Sequence, residues 1–143
     1  MIQQGYPTNL ASEFYVSSVL CRLGYDASLT LGNKKAIDIV VVRDEGNAIT
    51  IDVKAVAGRM DWLLGNAMPH EAPTHYVVLL SYEGRFSDVA LLPCAWVFPS
   101  QQMPPFIKIA GNKTTRYVSR KTIIEQASRF ENAWQLLKVQ SPP

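Results

Sequence analysis

Between residues 9 and 23 apolar side chains recur three and four positions apart, with Val16, Val19, Leu20 and Leu23 on one side and Ser18 and Arg22 on the other. That period predicts an amphipathic helix. Thr8 or Asn9 supplies a side chain able to cap its start, and Gly24 stands where a glycine commonly ends a helix. Beyond Gly24 the period shortens. Residues 25–31, 36–43 and 48–55 read as three strands, with Gly32-Asn33 and Asp44-Glu45-Gly46 as turns. Residues 58–73 read as irregular, with one helical turn at 61–64. Residues 75–82 form a continuous apolar run of the kind buried on both faces of a sheet. Residues 89–98 predict a further strand running into a short turn or helix at Pro93, and 99–105 a proline-rich connection. A last helix is predicted over 121–138, capped by Ser119, with Ile123, Ile124, Ala127, Phe130, Ala133, Trp134 and Leu137 at helical spacing.

This order, a helix, three strands, a buried strand and a mixed tail, predicts an α/β fold. The chain has 143 residues, 48% of them hydrophobic, enough for one sizeable core and one domain spanning 1–143. No basic stretch followed by an apolar one opens the chain, and the longest apolar run is broken by Pro93, so neither a signal peptide nor a membrane span is expected. Cys21 and Cys94 lie among apolar neighbours without metal-ligand spacing, and are expected to be buried free thiols in a reducing cytoplasm.

Three charges interrupt the second and third strands: Asp38, Asp52 and Lys54. Charged groups are depleted from strand interiors and costly to bury unpaired. Asp52 and Lys54, two apart, project from one face. If Asp44-Glu45-Gly46 is a three-residue loop with Gly46 left-handed, Arg43 pairs with Asn47 and the count puts Asp38 opposite Asp52, their β-carbons roughly 5 Å apart. A four-residue loop would move Asp38 to the other face. Val40 and Val42 share the face of Asp38, so that face is expected to be buried. Around the first helix Glu13 falls on the apolar side with Val16 and Leu20, where it could meet the two aspartates. Two carboxylates so placed repel unless a cation lies between them. Such a group suits a hard ion, Mg²⁺ or Mn²⁺, and the chemistry that an ion and a lysine support there is phosphodiester hydrolysis.

These residues resemble the PD-(D/E)XK superfamily, the restriction-endonuclease-like and Holliday-junction-resolvase-like nucleases. Its signature is an aspartate near the start of one strand, then an acid, any residue and a lysine on the next, often with a glutamate from the preceding helix. Ile37-Asp38 takes the first place, Asp52-Val53-Lys54 the second and Glu13 the third. Ile37 stands where the motif has proline, and the second helix of the family would have to lie between residues 58 and 73, where Pro69 intervenes. The resemblance covers a little over half the chain. It implies a restriction-endonuclease-like core of helix, three-stranded antiparallel meander, short helix and further strand, here followed by a C-terminal helix. It also implies a metal-dependent endonuclease acting on DNA rather than RNA, with Asp38, Asp52 and Glu13 around Mg²⁺ or Mn²⁺ and Lys54 positioning the attacking water. Pairing as a homodimer to cut two strands is a further implication.

Lys34, Lys35 and Arg59 flank the motif and could touch phosphate. So could Arg116 and Arg120, in a stretch, residues 108–129, that holds six basic residues and one acid, with Tyr117 available for stacking. The competing readings are a salt-bridged cluster on a solvated sheet, the wet face of a helix, and a catalytically silent module that binds nucleic acid or a protein partner. His70 and His75, with Pro73 between them, cannot share a helical face as zinc ligands do and are expected to be structural. Trp62, Trp96 and Trp134 are expected in the core or at hinges. The glycine spacings of a phosphate loop and the nucleophile elbow of a hydrolase are missing from the sequence.

Overall fold

The computed structural model describes residues 5–30, 37–42, 47–66, 69 and 71–137. The turns expected at Gly32-Asn33 and at Asp44-Glu45-Gly46, and with them Lys34, Lys35 and His70, lie outside the described residues. Helix α1 spans Gly5–Arg22 and starts earlier than a cap at Thr8 or Asn9 would allow. Thr8 is buried inside the first turns, its carbonyl accepting from Ser12 Oγ at 2.6 Å. Pro7 does not oppose this, because the N–H it lacks would have no intrahelical partner in the first turn. The helix ends as expected. Gly24 has φ +90°, its N–H donates to Cys21 O at 3.0 Å and that of Tyr25 to Leu20 O at 3.0 Å. This is the glycine-capped motif that consumes the last free carbonyls.

Strands β1 (Asp26–Leu29), β2 (Ile39–Val42), β3 (Ala48–Val56), β5 (His75–Ser81) and β6 (Cys94–Pro99) form one sheet in the order β1-β2-β3-β5-β6. Neighbours are antiparallel except β3 and β5, which are parallel and so need a crossover. Every residue of β5 is buried, as its unbroken apolar run requires. Its alternate side chains feed two cores. Tyr76, Val78 and Leu80 join Val16 and Leu20 of α1 on one face, with Ile39, Val41, Ile49 and Ile51. Val77 and Leu79 join Val56, Trp62, Phe98, Val118, Ile123 and Phe130 on the other.

The crossover itself departs from expectation. Where one helical turn was read at 61–64, strand β4 (Trp62–Gly65) forms and pairs with β8 (Arg116–Val118), which pairs in turn with β7 (Ile107–Ile109). This second, three-stranded sheet lies over the β5–β6 half of the main sheet. Trp62 anchors it, its indole N–H donating to Leu80 O at 2.9 Å and its ring standing edge-on to Trp96. Among the described residues the crossover holds a strand where the resemblance to PD-(D/E)XK nucleases implied a helix.

The single helix expected over 121–138 is replaced by α2 (Arg120–Gln126), capped by Ser119, and by two 3-10 turns at Ser128–Phe130 and Trp134–Leu137. The break has a packing cause. Ile123, Ala127 and Phe130 belong to one core, Ala133 and Leu137 to the other, so the chain must turn to serve both. Asn132, with φ 49° and its N–H donating to Ala95 O at 2.9 Å, makes that turn. Cys94 is partly covered, but Cys21 is exposed, contrary to the expectation of two buried thiols; both are free. Among the described residues no helix is long and apolar enough to cross a membrane.

Candidate active site

Strands β2 and β3 pair with Ile39 opposite Ile51 and Val40 opposite Thr50, the register counted from Gly46. Continued by one step it sets Asp38 against Asp52. Asp38 lies just before β2, where the backbone still donates its N–H to Ile51 O at 2.8 Å. One step further the side chain substitutes for the strand: Val53 N–H donates to Asp38 Oδ2 at 2.7 Å. The carboxylate is thereby held in the plane of the sheet, within reach of both faces. Asp52 projects from the face of β3 opposite α1, is only 5% exposed, and has Lys54 Nζ at 3.6 Å from its Oδ2.

Glu13 approaches from α1, one turn before the buried Val16. Burial first, then the charge and a hydrogen bond of Asp38, then the charge of Asp52, push its pKa up to about 7. Asp52 rises to about 6 mainly through burial, with Asp38 adding to the rise and Lys54 opposing it. Glu13, Asp38, Asp52 and Lys54 are therefore neighbours, and burial together with crowding keeps protons on Glu13 and Asp52 to near neutrality. Like charges brought together out of water behave in this way. Among the described residues no three acid, histidine or cysteine side chains converge into a ready-made metal cage.

The face of Asp38 is not buried beyond the motif, as the sequence had suggested. Val40 is half-buried and Val42 is 51% exposed, while Ile39 and Val41 are fully buried on the α1 side. The second sheet covers the β5–β6 half of that face and leaves the β2 half open. Asp38 therefore lies beside the open half of that face, with Asp52 covered next to it, Lys54 one-third exposed, and Glu13 reaching Asp38 from the α1 side. His75 is buried, paired through Nδ1 with Thr50 Oγ1 at 2.7 Å, and sits on the same face as Asp52.

The basic candidates are placed differently from one another. Arg59 is exposed just past β3, and its charge reaches Glu83. Arg116 Nη1 donates to Asn66 O and Thr114 O, both at 2.9 Å, tying the end of β4 to the β7–β8 hairpin. Arg120 is drawn into the fold. Both its terminal nitrogens meet Glu83 at 2.5 Å, its Nη1 also approaches the buried Ser81 Oγ at 3.2 Å, and its backbone N–H donates to Asp61 Oδ1 at 2.9 Å. Arg120 holds the Glu83 carboxyl below the ordinary glutamate range. This clamp fastens α2 to the end of β5. Glu83→Ala should lower stability by about 1–2 kcal/mol, because it leaves a largely covered guanidinium without its carboxylate. Urea unfolding would read this as a lower midpoint at unchanged slope, and an unchanged midpoint would show the clamp to be idle.

The sequence offered no direct signal for the clamp or for the second sheet. Glu83 sits in a polar loop, and its partner is Arg120, on an element far along the chain.

No family model matches the sequence, and no curated protein matches it. Among solved structures the chain is similar to the bacterial homing endonuclease I-Ssp6803I, with a TM-score of 0.60 over 94% of this chain and 93% of that one, at 12% identity. The chain shares the α/β architecture of that endonuclease. At so low an identity the likeness is one of architecture, and it spans both sheets and not the motif-bearing half alone.

Proposed function

We propose that the protein is a metal-dependent nuclease of PD-(D/E)XK type that hydrolyses phosphodiester bonds in DNA. The observation that carries the reading is the mutual approach of Glu13, Asp38 and Asp52, with Lys54 Nζ 3.6 Å from Asp52, beside the half of the sheet that the second sheet leaves uncovered. A structural ion pair needs one acid and one base, whereas here the Asp52–Lys54 pair has two further carboxyls, Asp38 and Glu13, crowded against it. The donor set suits a hard divalent cation: oxygen ligands only, with protons on Glu13 and Asp52 near neutrality that an ion can displace. Asp38 and Asp52 would hold Mg²⁺ or Mn²⁺, Glu13 would complete the acidic shell, and waters and substrate phosphate would fill the remaining positions. A bound ion of this kind polarises a phosphoryl oxygen and lowers the pKa of water. Lys54, fixed beside Asp52 and one-third exposed, orients the attacking water and stabilises the charge that develops on phosphorus oxygens. A cytoplasmic homodimer would present two such sites to the two strands of a duplex.

Metal-dependent cleavage of duplex DNA by the wild type and by Asp38→Asn tests the reading. Cleavage that does not depend on Asp38, or none with either Mg²⁺ or Mn²⁺, would overturn it. The ion can also be followed alone. Calorimetric titration of Mn²⁺ into the wild type should show weak binding, since sites of this type borrow ligands from substrate phosphate, and Asp38→Asn should lose it. Equal heats from both proteins would remove the ion from this position.

A further inference from the structure

The carboxyls of Asp38 and Asp52, with Glu13 behind Asp38 on the α1 side, repel a polyanion, so binding energy for nucleic acid has to come from elsewhere. Residues 108–124 contain five basic residues and no acid. They build the β7–β8 hairpin and the first turn of α2, on the same side of the main sheet as Asp52 and Lys54. One row of the second sheet, Leu63, Tyr117 and Lys108, is opposite in orientation to the buried row of Trp62, Val118 and Ile107 and so faces outward. Lys108 and Leu63 are exposed and Tyr117 half-exposed. Lys108 Nζ donates to Thr122 Oγ1 at 3.1 Å, which sets it close to the exposed Lys121.

The tip of the hairpin carries a second mark. Lys113 has φ +64°, a conformation that favours glycine, although Gly111 stands two residues away. Asn112 fixes this tip, its Oδ1 accepting from Thr114 N–H at 3.0 Å and Thr115 N–H at 2.9 Å. A lysine is thus held outward at a place where the backbone disfavours it. Among the described residues Lys108, Lys113 and Lys121 have no carboxylate within ion-pairing distance, unlike Lys54 and Arg120.

We infer that the outward face of the second sheet and the hairpin tip bind the sugar-phosphate backbone of duplex DNA, through Lys108, Lys113 and Lys121 with Tyr117 beside them, and so hold it along the open half of the main sheet. This rests on the nuclease reading for its purpose but not for its measurement. Phosphate contacts of this kind give affinity without sequence preference and a steep dependence on salt.

The test is fluorescence anisotropy of a labelled DNA duplex with the full chain in EDTA, across a salt series, for the wild type and for the triple variant Lys108→Gln, Lys113→Gln, Lys121→Gln. The variant should bind roughly a hundredfold more weakly at moderate salt, and its log–log salt slope should be shallower by about three. Lys113→Gly separates charge from structure: it should raise the thermal midpoint by relieving the backbone, yet weaken DNA binding. An unchanged affinity and slope in the triple variant would overturn the inference even if Asp38→Asn abolishes cleavage. Tighter binding of duplex RNA than of DNA, or no binding of DNA by the wild type at low salt, would overturn it as well. Loss of binding in the triple variant together with a wild type that cleaves nothing would uphold it and defeat the nuclease reading alone.

Discussion

Asp52→Asn is expected to lower metal-supported cleavage by roughly a thousandfold, the scale on which a lost charge stabiliser acts at a reacting centre. The same substitution should leave the fold at least as stable as the wild type. Asp52 is 5% exposed, and burial is the largest cause of its rise to about pKa 6, so its charge is held in place against a solvation cost. Asparagine has the same shape without that cost. Lys54 loses its partner but is one-third exposed and can turn to water. Activity and stability should therefore move in opposite directions, as they do where a site is maintained for chemistry and not for folding. Single-turnover cleavage beside urea unfolding of both proteins checks this. Full activity in the variant would sink the catalytic assignment. Lost activity with a comparable loss of stability would instead favour a salt-bridged structural cluster.

The part of this site that could be read from sequence is the part set by local geometry. Alternation put Asp52 and Lys54 on one face, and the register implied by a left-handed Gly46 is the one that β2 and β3 adopt. Gly24 and Ser119 mark helix ends because a cap acts within a few residues. The buried β5 declares itself because both of its faces are covered.

What escaped was decided at long range. Trp62–Gly65 is four residues long, too short for period to separate a helical turn from a strand. Its identity comes from β8, more than fifty positions away along the chain. The tail from Ser119 has the helical period throughout, but period cannot show that Phe130 and Leu137 enter different cores. Val42 illustrates the same limit. Its face was expected to be buried because its neighbours are apolar, yet the second sheet covers only half of that face. Asp38 stands beside the open half, so what made its face hard to read is also what leaves the carboxyl within reach.

Stability of the metal-free protein should fall as pH rises from about 4 to about 7, the reverse of the usual acid behaviour, by about 2 kcal/mol after allowance for the partial exposure of Glu13. In the unfolded chain Glu13 and Asp52 lose their protons near 4.5 and 3.8; in the folded chain they keep them until about 7 and about 6. Between those limits the folded state binds more protons than the unfolded one, and each step upward in pH favours unfolding. The Arg120-bound carboxyl of Glu83 acts in the opposite sense, its contribution present above the ordinary glutamate range and lost as pH falls through its lowered pKa. The two windows are therefore separable. Mn²⁺ should cancel the neutral-side loss, because an ion that binds only the folded chain adds stability as its concentration passes its dissociation constant. Urea unfolding in EDTA across the window, then with Mn²⁺, and in Glu13→Gln/Asp52→Asn reads all three effects. The double variant should be flat through the window and indifferent to metal. A wild type that is equally flat would mean that Glu13 and Asp52 ionise without hindrance, and that the crowding on which the proposed metal site rests is relieved in solution.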